Sequence, residues 1–246
     1  MFNFLNNQIQ LMMTSKIFRA GMVAAMACTS LMMTSCLDDD SNNTAPVEVP
    51  VSYVTLYNAS PDAPDLNIIV DNKQINAGPF GYADNTGYLR FSTGERNLKF
   101  GPYGANNVTL DTVVTLVDSK AYSIFVVDNF QHAELLILTD TSAAQPASGK
   151  AMIRFVNLSP DAQPLALKVK NASGTLTSEQ SFKGATTFME VDANDYNFDV
   201  VSSGGTELSL PNISLQQGNY YTVLVRGYKT PPSGNTNVLS GEVVQN

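Results

Sequence analysis

The sequence has no tryptophan, one histidine and two cysteines, and only 15% of its 246 residues are charged. Each shortage excludes something. Cys28 and Cys36 both lie near the N-terminus, and the 210 residues that follow Cys36 contain no cysteine. A disulfide framework and a cysteine metal site are therefore excluded for that stretch. His132 alone gives zinc too few nitrogen ligands, so neither a metal nor another cofactor is expected. A hydrolase triad would also have to use His132, which sits in Asn129-Phe130-Gln131-His132-Ala133, a turn before a strand. It reads as a solvent-exposed turn residue, and no catalytic residue is assigned. Phosphate-loop, dinucleotide and EF-hand spacings are all missing. Acidic residues such as Asp65, Asp71, Asp84, Asp111 and Asp118 are scattered through turns, and the sequence pairs no two of them as a glycosidase requires.

Basic residues are also scarce. The formal net charge is −8. The first 35 residues hold Lys16 and Arg19 and no acid; without them 12 basic residues face 22 acidic ones, a net charge of −10. An acidic chain with no Lys/Arg stripe repels a phosphate backbone, so nucleic acid is not an expected partner. No amphipathic helix of three turns follows Cys36.

What remains is rich in Asn, Ser, Thr, Gly and Val, residues that favour strands and turns. From Val51 onward, short apolar or alternating runs are separated by turn clusters. Strands are predicted at 51–57, 66–70, 86–91, 97–100, 111–117, 121–127 and 134–138. Turns lie between them, among them Ser60-Pro61-Asp62, Asp71-Asn72 and Asp118-Ser119. The pattern restarts with strands at 152–157, 165–169, 186–191, 196–201, 208–215, 220–226 and 238–244. Seven short strands in about ninety residues fit an antiparallel sandwich.

The restart is a duplication. Asn58-Ala59-Ser60-Pro61-Asp62-Ala63 returns as Asn157-Leu158-Ser159-Pro160-Asp161-Ala162, and the 121–127 run matches 220–226 at the same offset. A period near 100 residues is the size of a small β domain rather than a solenoid unit. The expected fold is all-β, with two tandem immunoglobulin-like antiparallel β-sandwich domains. The expected limits are 51–140 and 151–246, joined by a small-residue linker at 141–150.

In both copies the repeated motif follows the first strand and suits a type I turn. Pro61 and Pro160 preset φ, while Asp62 and Asp161 can accept backbone N–H groups. Ser60, Pro61, Asp62, Ser159, Pro160 and Asp161 are therefore read as structural turn residues. A ligand role for the two carboxylates is the alternative, and calcium binding by the Asp-rich turns stays open. The copies differ at their loops. Phe80-Gly81-Tyr82 and Phe100-Gly101-Pro102-Tyr103-Gly104 of the first correspond to Phe182-Lys183-Gly184 and Ser202-Ser203-Gly204-Gly205 of the second. The shared fold does not require those rings, so Tyr82 and Tyr103 are the candidate ligand contacts. Rings that cover the sandwich ends are the plainer reading.

The N-terminus reads as an address. Lys16 and Arg19 precede an apolar run at 20–33 of signal-peptide length. A start at Met12 or Met13 would give a more typical charged region before it. Leu31-Met32-Met33-Thr34-Ser35-Cys36 resembles a bacterial lipobox, in which Cys36 is the lipidated residue and 1–35 the signal peptide. Cys28 is the rival, and a secretory signal cleaved near Ser35 is the unlipidated alternative. Acyl chains on Cys36 would anchor the chain, each buried methylene adding ~0.8 kcal/mol. Asp38-Asp39-Asp40 opens a polar, proline-containing tether at 36–50 that cannot pack a core. Acids just after the lipidated cysteine resemble an export signal to the cell surface. Outer-membrane anchoring facing outward is expected, with the periplasmic face as the alternative.

The stretch from Val54 through Asn58-Ala59-Ser60-Pro61-Asp62-Ala63-Pro64 to Asp71 resembles the opening of a bacterial β-domain family, domain of unknown function 4397. Pro79-Phe80-Gly81, Gly87-Tyr88-Leu89 and Lys120-Ala121-Tyr122-Ser123-Ile124 are similar to later landmarks of that family. The resemblance covers most of 51–140 and, more faintly, 151–226. Asn58 stands where the family usually has His, Asn72 replaces a hairpin Gly, and the second copy inserts Gln163 before its proline. The resemblance implies cell-envelope β-sandwich modules and no reaction. The expected function is a non-catalytic binding, adhesion or structural lipoprotein with a glycan or protein ligand. A glycan-binding accessory of a polysaccharide uptake system is the alternative, and a carboxylate hydrolase the third reading. The absence of tryptophan weighs against a dedicated glycan platform.

Overall fold

The computed structural model describes residues 49–141 and 145–246. Cys28, Cys36, the signal segment and most of the tether lie outside the described residues. Residues from Val47 to Asn246 form one compact unit. No α-helix occurs among the described residues. The first sandwich-like domain contains β1 (Val51–Asn58), β2 (Leu66–Val70), β3 (Lys73–Gln74), β4 (Leu89–Ser92), β5 (Gly94–Pro102), β6 (Leu110–Leu116), β7 (Ala121–Val127) and β8 (Glu134–Thr139). A single 3-10 turn, Phe130–His132, precedes β8. The second contains β9 (Lys150–Asn157), β10 (Ala166–Val169), β11 (Met189–Asp192), β12 (Asp195–Ser202), β13 (Gly205–Ser214), β14 (Tyr220–Arg226) and β15 (Ser240–Gln245).

The two sandwich-like domains share a sheet order. One sheet of the first domain runs β4-β1-β7-β8 and its counterpart runs β11-β9-β14-β15. The other sheets run β3-β2-β5-β6 and β10-β12-β13. Antiparallel pairing dominates, as the turn spacing predicts. One parallel pair occurs in each domain, β1 with β7 and β9 with β14, in equivalent registers such as Leu56↔Ile124 and Phe155↔Val223. A parallel neighbour needs a long crossover, and the intervening strands of the opposite sheet provide it. The β2, β7 and β14 limits match the sequence expectation. The hairpin strand β3 is additional, and β4 and β11 start three residues later than the apolar pattern suggests.

Each domain has its own core between its two sheets. Val54, Leu56, Leu66, Ile68, Leu98, Phe100 and Ile124 belong to the first. Ile153, Phe155, Leu165, Leu167, Phe198 and Val223 belong to the second. A third apolar cluster draws on both domains: Tyr57, Ala59, Phe125 and Val127 from the first, Val156, Leu158 and Leu224 from the second. The strand periodicity of two explains it. On β1, Val54 and Leu56 point to the first core while Tyr57 points to the third cluster. On β9, Ile153 and Phe155 point to the second core while Val156 points to the third cluster. The sheets containing β1 and β9 are thus covered on both faces, which is why these strands read as near-continuous apolar runs.

The strand ends show where the copies diverge. Gly227 follows β14 at φ +85, and a Cβ there would lie 2.3 Å from the Val238 carbonyl oxygen. The equivalent position after β7 is Asp128, also left-handed at φ 70. Its Oδ1 accepts the N–H of Asn129 at 2.7 Å, a local bond of the kind that lets Asp adopt this region.

Candidate functional site

The repeated turns organise one end of the molecule. Asn58 and Asn157 are fully buried. Their Oδ1 atoms accept the N–H of Ser60 (3.3 Å) and Ser159 (3.0 Å). Their Nδ2 groups donate to the carbonyls of Phe80 and Gln180. Asp62 accepts the N–H of Phe130 at 2.7 Å. Asp161 accepts from the equivalent place in its own domain, Lys229 N–H at 2.6 Å and Thr230 N–H at 2.7 Å. Ser159 Oγ donates to Asp161 at 3.3 Å, whereas the buried Ser60 Oγ has no hydrogen-bond partner. Pro61 is buried and its carbonyl accepts Asn235 and Asn237 side-chain amides from the second domain, while Pro160 is half-buried. Tyr228 lies among these groups, its hydroxyl pushed up to about 12 by burial and by the charges of Asp62, Asp128 and Asp161.

These carboxylates are placed to hold loops. Among the described residues no group of three acidic, His or Cys side chains is arranged to hold a metal ion. Asp161→Ala is expected to cost about 1–2 kcal/mol, because two N–H groups lose a charged acceptor at a partly solvated site. Asp62→Ala, which frees one N–H, is expected to cost about half as much. Urea midpoints measure the difference, and equal midpoints for the two variants would contradict the assignment.

The two candidate ligand tyrosines occupy different surroundings. Tyr82 is half-buried at the domain seam, with the Arg226 guanidinium 5.1 Å from its ring centroid. Its hydroxyl is buried and makes no direct hydrogen bond. Arg226 Nε donates to Tyr57 Oη at 3.0 Å, and Tyr57 donates to Glu242 at 2.5 Å. Burial, then the Glu242 hydrogen bond, drives the Tyr57 hydroxyl well above its ordinary range. Burial pulls the Arg226 pKa down, but the phenol groups of Tyr82 and Tyr57 more than offset it. Tyr103 is 40% exposed at the tip of the β5–β6 connection, its hydroxyl donating to the Ala77 carbonyl at 3.1 Å. Tyr82 thus stands beside Arg226 of the second domain, whereas the Tyr103 hydroxyl bonds within the first. His132 is exposed on its 3-10 turn, with Nδ1 2.8 Å from Asn129 Oδ1.

A different set of rings does converge. Tyr53 on β1, Tyr88 before β4 and Tyr220 on β14 line a cleft of about 280 Å³ at the seam, with Ala121, Asp140 and Asn246. Tyr53 is 43% and Tyr88 37% exposed. The polar groups behind the rings are bonded to one another. Tyr88 Oη donates to Asp140 Oδ2 at 2.6 Å and accepts from Asn246 Nδ2 at 3.3 Å. Ser123 Oγ also donates to Asp140, at 2.8 Å. Burial and the Asp140 carboxylate raise the Tyr88 pKa well above its ordinary value, so the phenol stays a donor. Asp140 accepts Arg154 Nη2 at 2.5 Å, and Arg154 Nε donates to Thr222 Oγ1 at 2.8 Å. Thr222 in turn donates to Asn246 Oδ1 at 2.6 Å. The Tyr220 ring meets Phe188 edge-on at 5.3 Å between centroids, and Arg154 lies over Phe188 at 4.6 Å. The cleft thus offers chiefly ring faces, held by a polar network from both domains.

Sequence reasoning missed these rings because Tyr53 and Tyr88, from β1 and the segment before its partner β4, meet Tyr220 of β14 only when the domains pack. One signal was present: Tyr53 and Tyr57 alternate with Val54 and Leu56, so both faces of the first strand are apolar.

Among solved structures, the C-terminal domain of AlgF from P. aeruginosa is 20% identical, covering 40% of this chain and 100% of its own, with TM-score 0.32. A family CBM26 module of Eubacterium rectale Amy13K, solved with maltoheptaose, is 14% identical over 75% of this chain and 100% of its own, with TM-score 0.23. An alpha-glucan-binding streptococcal virulence factor is 13% identical over 63% of this chain and 83% of its own, with TM-score 0.24. No ligand is transferred from likenesses at these scores. No curated protein matches the chain. A family model, described as a domain of unknown function, matches the first sandwich together with the opening strands of the second. The match, to the DUF4397 family, spans residues 52–168.

Proposed function

We propose that the protein is a non-catalytic binding module of the cell envelope that takes its ligand at the Tyr53–Tyr88–Tyr220 cleft. Lipidation at Cys36 belongs to the same reading, resting on the lipobox-like sequence, with the tether at 36–50 carrying the module away from an outer membrane. The observation that supports the site is the convergence of three tyrosines from two domains on one partly exposed cleft. Tyrosine offers a broad apolar face with a polar edge and few rotatable bonds, which suits stacking against flat ligands. The Tyr88 hydroxyl is held by Asp140 and Asn246 and the Tyr220 ring by Phe188 before any ligand arrives, which lowers the ordering cost on binding.

A ligand with one flat apolar face and hydroxyls at its rim fits best, and the ring of a neutral sugar is such a ligand. A short neutral oligosaccharide is therefore the favoured class. A glycan array followed by calorimetry on any hit tests it. Tyr53→Ala, whose ring lines the cleft on the exposed side, is expected to weaken binding about tenfold, corresponding to ~1.4 kcal/mol for one stacking face. Tyr103→Ala, remote from the cleft, is expected to leave affinity unchanged. Binding that survives Tyr53→Ala and Tyr88→Phe but is lost in Tyr103→Ala would move the site to the β5–β6 loop. A surface with no glycan hit would count against the sugar class.

A further inference from the structure

The two domains treat their outer edge strands differently. β13 ends its sheet with Pro211 and a break in register between Tyr196 and Phe198 of its partner β12. Asn212, beside that proline, is left-handed at φ 58. β13 also leans on β15, where Leu208 and Leu210 crowd Gly241. Proline, bulges and cover are how proteins block an edge. The equivalent strand β6 has none of them. It pairs with β5 from Gly94↔Leu116 to Phe100↔Leu110 without a shift, and it closes the sheet order on that side. Val113 is 57% exposed and Val117, just beyond the strand, 52%.

The free hydrogen-bonding groups of β6 can be identified. Asp71 N–H donates to the Asn97 carbonyl, so odd-numbered positions of β5 turn toward β2. The Phe100 carbonyl accepts Thr109 N–H, so even-numbered positions turn toward β6. Through the β5–β6 register, Thr112 and Val114 bond to β5. Asp111, Val113 and Thr115 therefore direct N–H and C=O to the open edge, and among the described residues no strand meets them.

About Val113 the edge Leu110-Asp111-Thr112-Val113-Val114-Thr115-Leu116 has leucine at both ends and an inward/outward alternation that runs nearly the same in both directions. We infer that β6 pairs antiparallel with β6 of a second copy of this chain, about a twofold axis at Val113. In that register Val113 faces Val113, Asp111 faces Thr115, and Leu110 faces Leu116. Like faces stay together, as an isologous contact demands. Outward valines meet on one side of the joined sheet, and inward Leu110 and Leu116 extend both cores on the other. The one charge in the strand, Asp111, has its own Lys99 at 3.4 Å, so no like charges oppose each other across the axis.

The test uses the full chain in detergent with Cys28→Ser and Cys36→Ser, so that the N-terminal thiols do not interfere. Sedimentation equilibrium is expected to show a reversible monomer–dimer exchange. Val113→Lys sets two ammonium groups opposite each other and is expected to weaken the dimer roughly tenfold or more. At concentrations where both proteins are monomeric its melting temperature should not change, since the side chain is exposed. Ser209→Lys on the blocked edge β13 is expected to have no effect. Val113→Cys in the same background, treated with oxidised glutathione, is expected to give a disulfide dimer, because hydrogen-bonded antiparallel partners lie about 5.5 Å apart at Cα, within disulfide reach. A monomer at every concentration would overturn the inference. So would a dimer that Val113→Lys leaves intact and Val113→Cys fails to cross-link.

Discussion

Replacing Asp140 with alanine is expected to destabilise the protein by about 3–5 kcal/mol, the cost of leaving one member of a buried ion pair alone. Both side chains of the Asp140–Arg154 pair are only 3% exposed, and their charged atoms lie 2.5 Å apart. Arg154 is otherwise held by neutral partners: Thr222 Oγ1, the Thr139 carbonyl, Ser123 Oγ and the Phe188 ring. None of these offsets the guanidinium charge. In Asp140→Ala that charge stays desolvated, and Tyr88 and Ser123 lose their acceptor. The double variant Asp140→Leu/Arg154→Met removes both charges, and it is expected to recover most of the loss, because apolar replacements of similar volume are often neutral or better. Guanidinium melts of the parent protein, Asp140→Ala and the double variant measure both effects. A single-variant loss below about 1 kcal/mol would place the pair with exposed, weakly coupled ion pairs. A double variant as unstable as the single would show that shape, not charge, dominates.

This pair shows where sequence reading stops. The strands were legible because alternation and Gly/Asn/Asp/Pro turns are local signals, and β2, β7 and β14 carry both. The duplicated Ser-Pro-Asp turn was legible for the same reason, since proline and aspartate act within a few residues. Pairing partners were not. Nothing in Val51–Asn58 or Ala121–Val127 states that the two run parallel, because that follows from how the other sheet carries the chain across. The seam was hidden for a related cause. Arg154 stands in the otherwise apolar run Ala151-Met152-Ile153-Arg154-Phe155-Val156, and a charge there demands a partner. That partner, Asp140, sits at the far end of the first domain, where the sequence suggested only the approach to a linker.

The same limit governs the candidate ligand residues. Comparing the copies selected Tyr82 and Tyr103 as rings the shared fold does not need. The structure gives Tyr82 a use in joining the domains, through Arg226 and the adjoining Tyr57–Glu242 pair. A residue can be dispensable for a single sandwich and still serve the pair. Divergence between the copies therefore concentrates at two places: the seam, where each face meets a different partner, and the edge strands, where β13 is blocked and β6 is not.

Leu158→Ala tests whether the seam makes the two domains one folding unit. Leu158 is fully buried and belongs to the shared cluster, with Tyr57, Phe125 and Leu224. Truncation is expected to cost about 2–5 kcal/mol, the transfer loss plus the cavity left behind. The location of that loss is more informative than its size. The cluster contacts the back of β1 and β7 as much as that of β9 and β14, and the cores of both domains lie on the opposite faces of those same strands. A cavity here should lower the opening energy of both sandwiches. In hydrogen exchange read by mass spectrometry, amides of Val51–Asn58 and Ala121–Val127 should lose protection together with those of Lys150–Asn157 and Tyr220–Arg226. Phe198→Ala, in the second core only, provides the contrast, with its loss falling first on Asp195–Ser202 and Gly205–Ser214. If Leu158→Ala weakened only the second domain, the third cluster would be a contact between two independent folds. A loss spread over both makes the doubled sheet at the centre the shared core of a single cooperative structure.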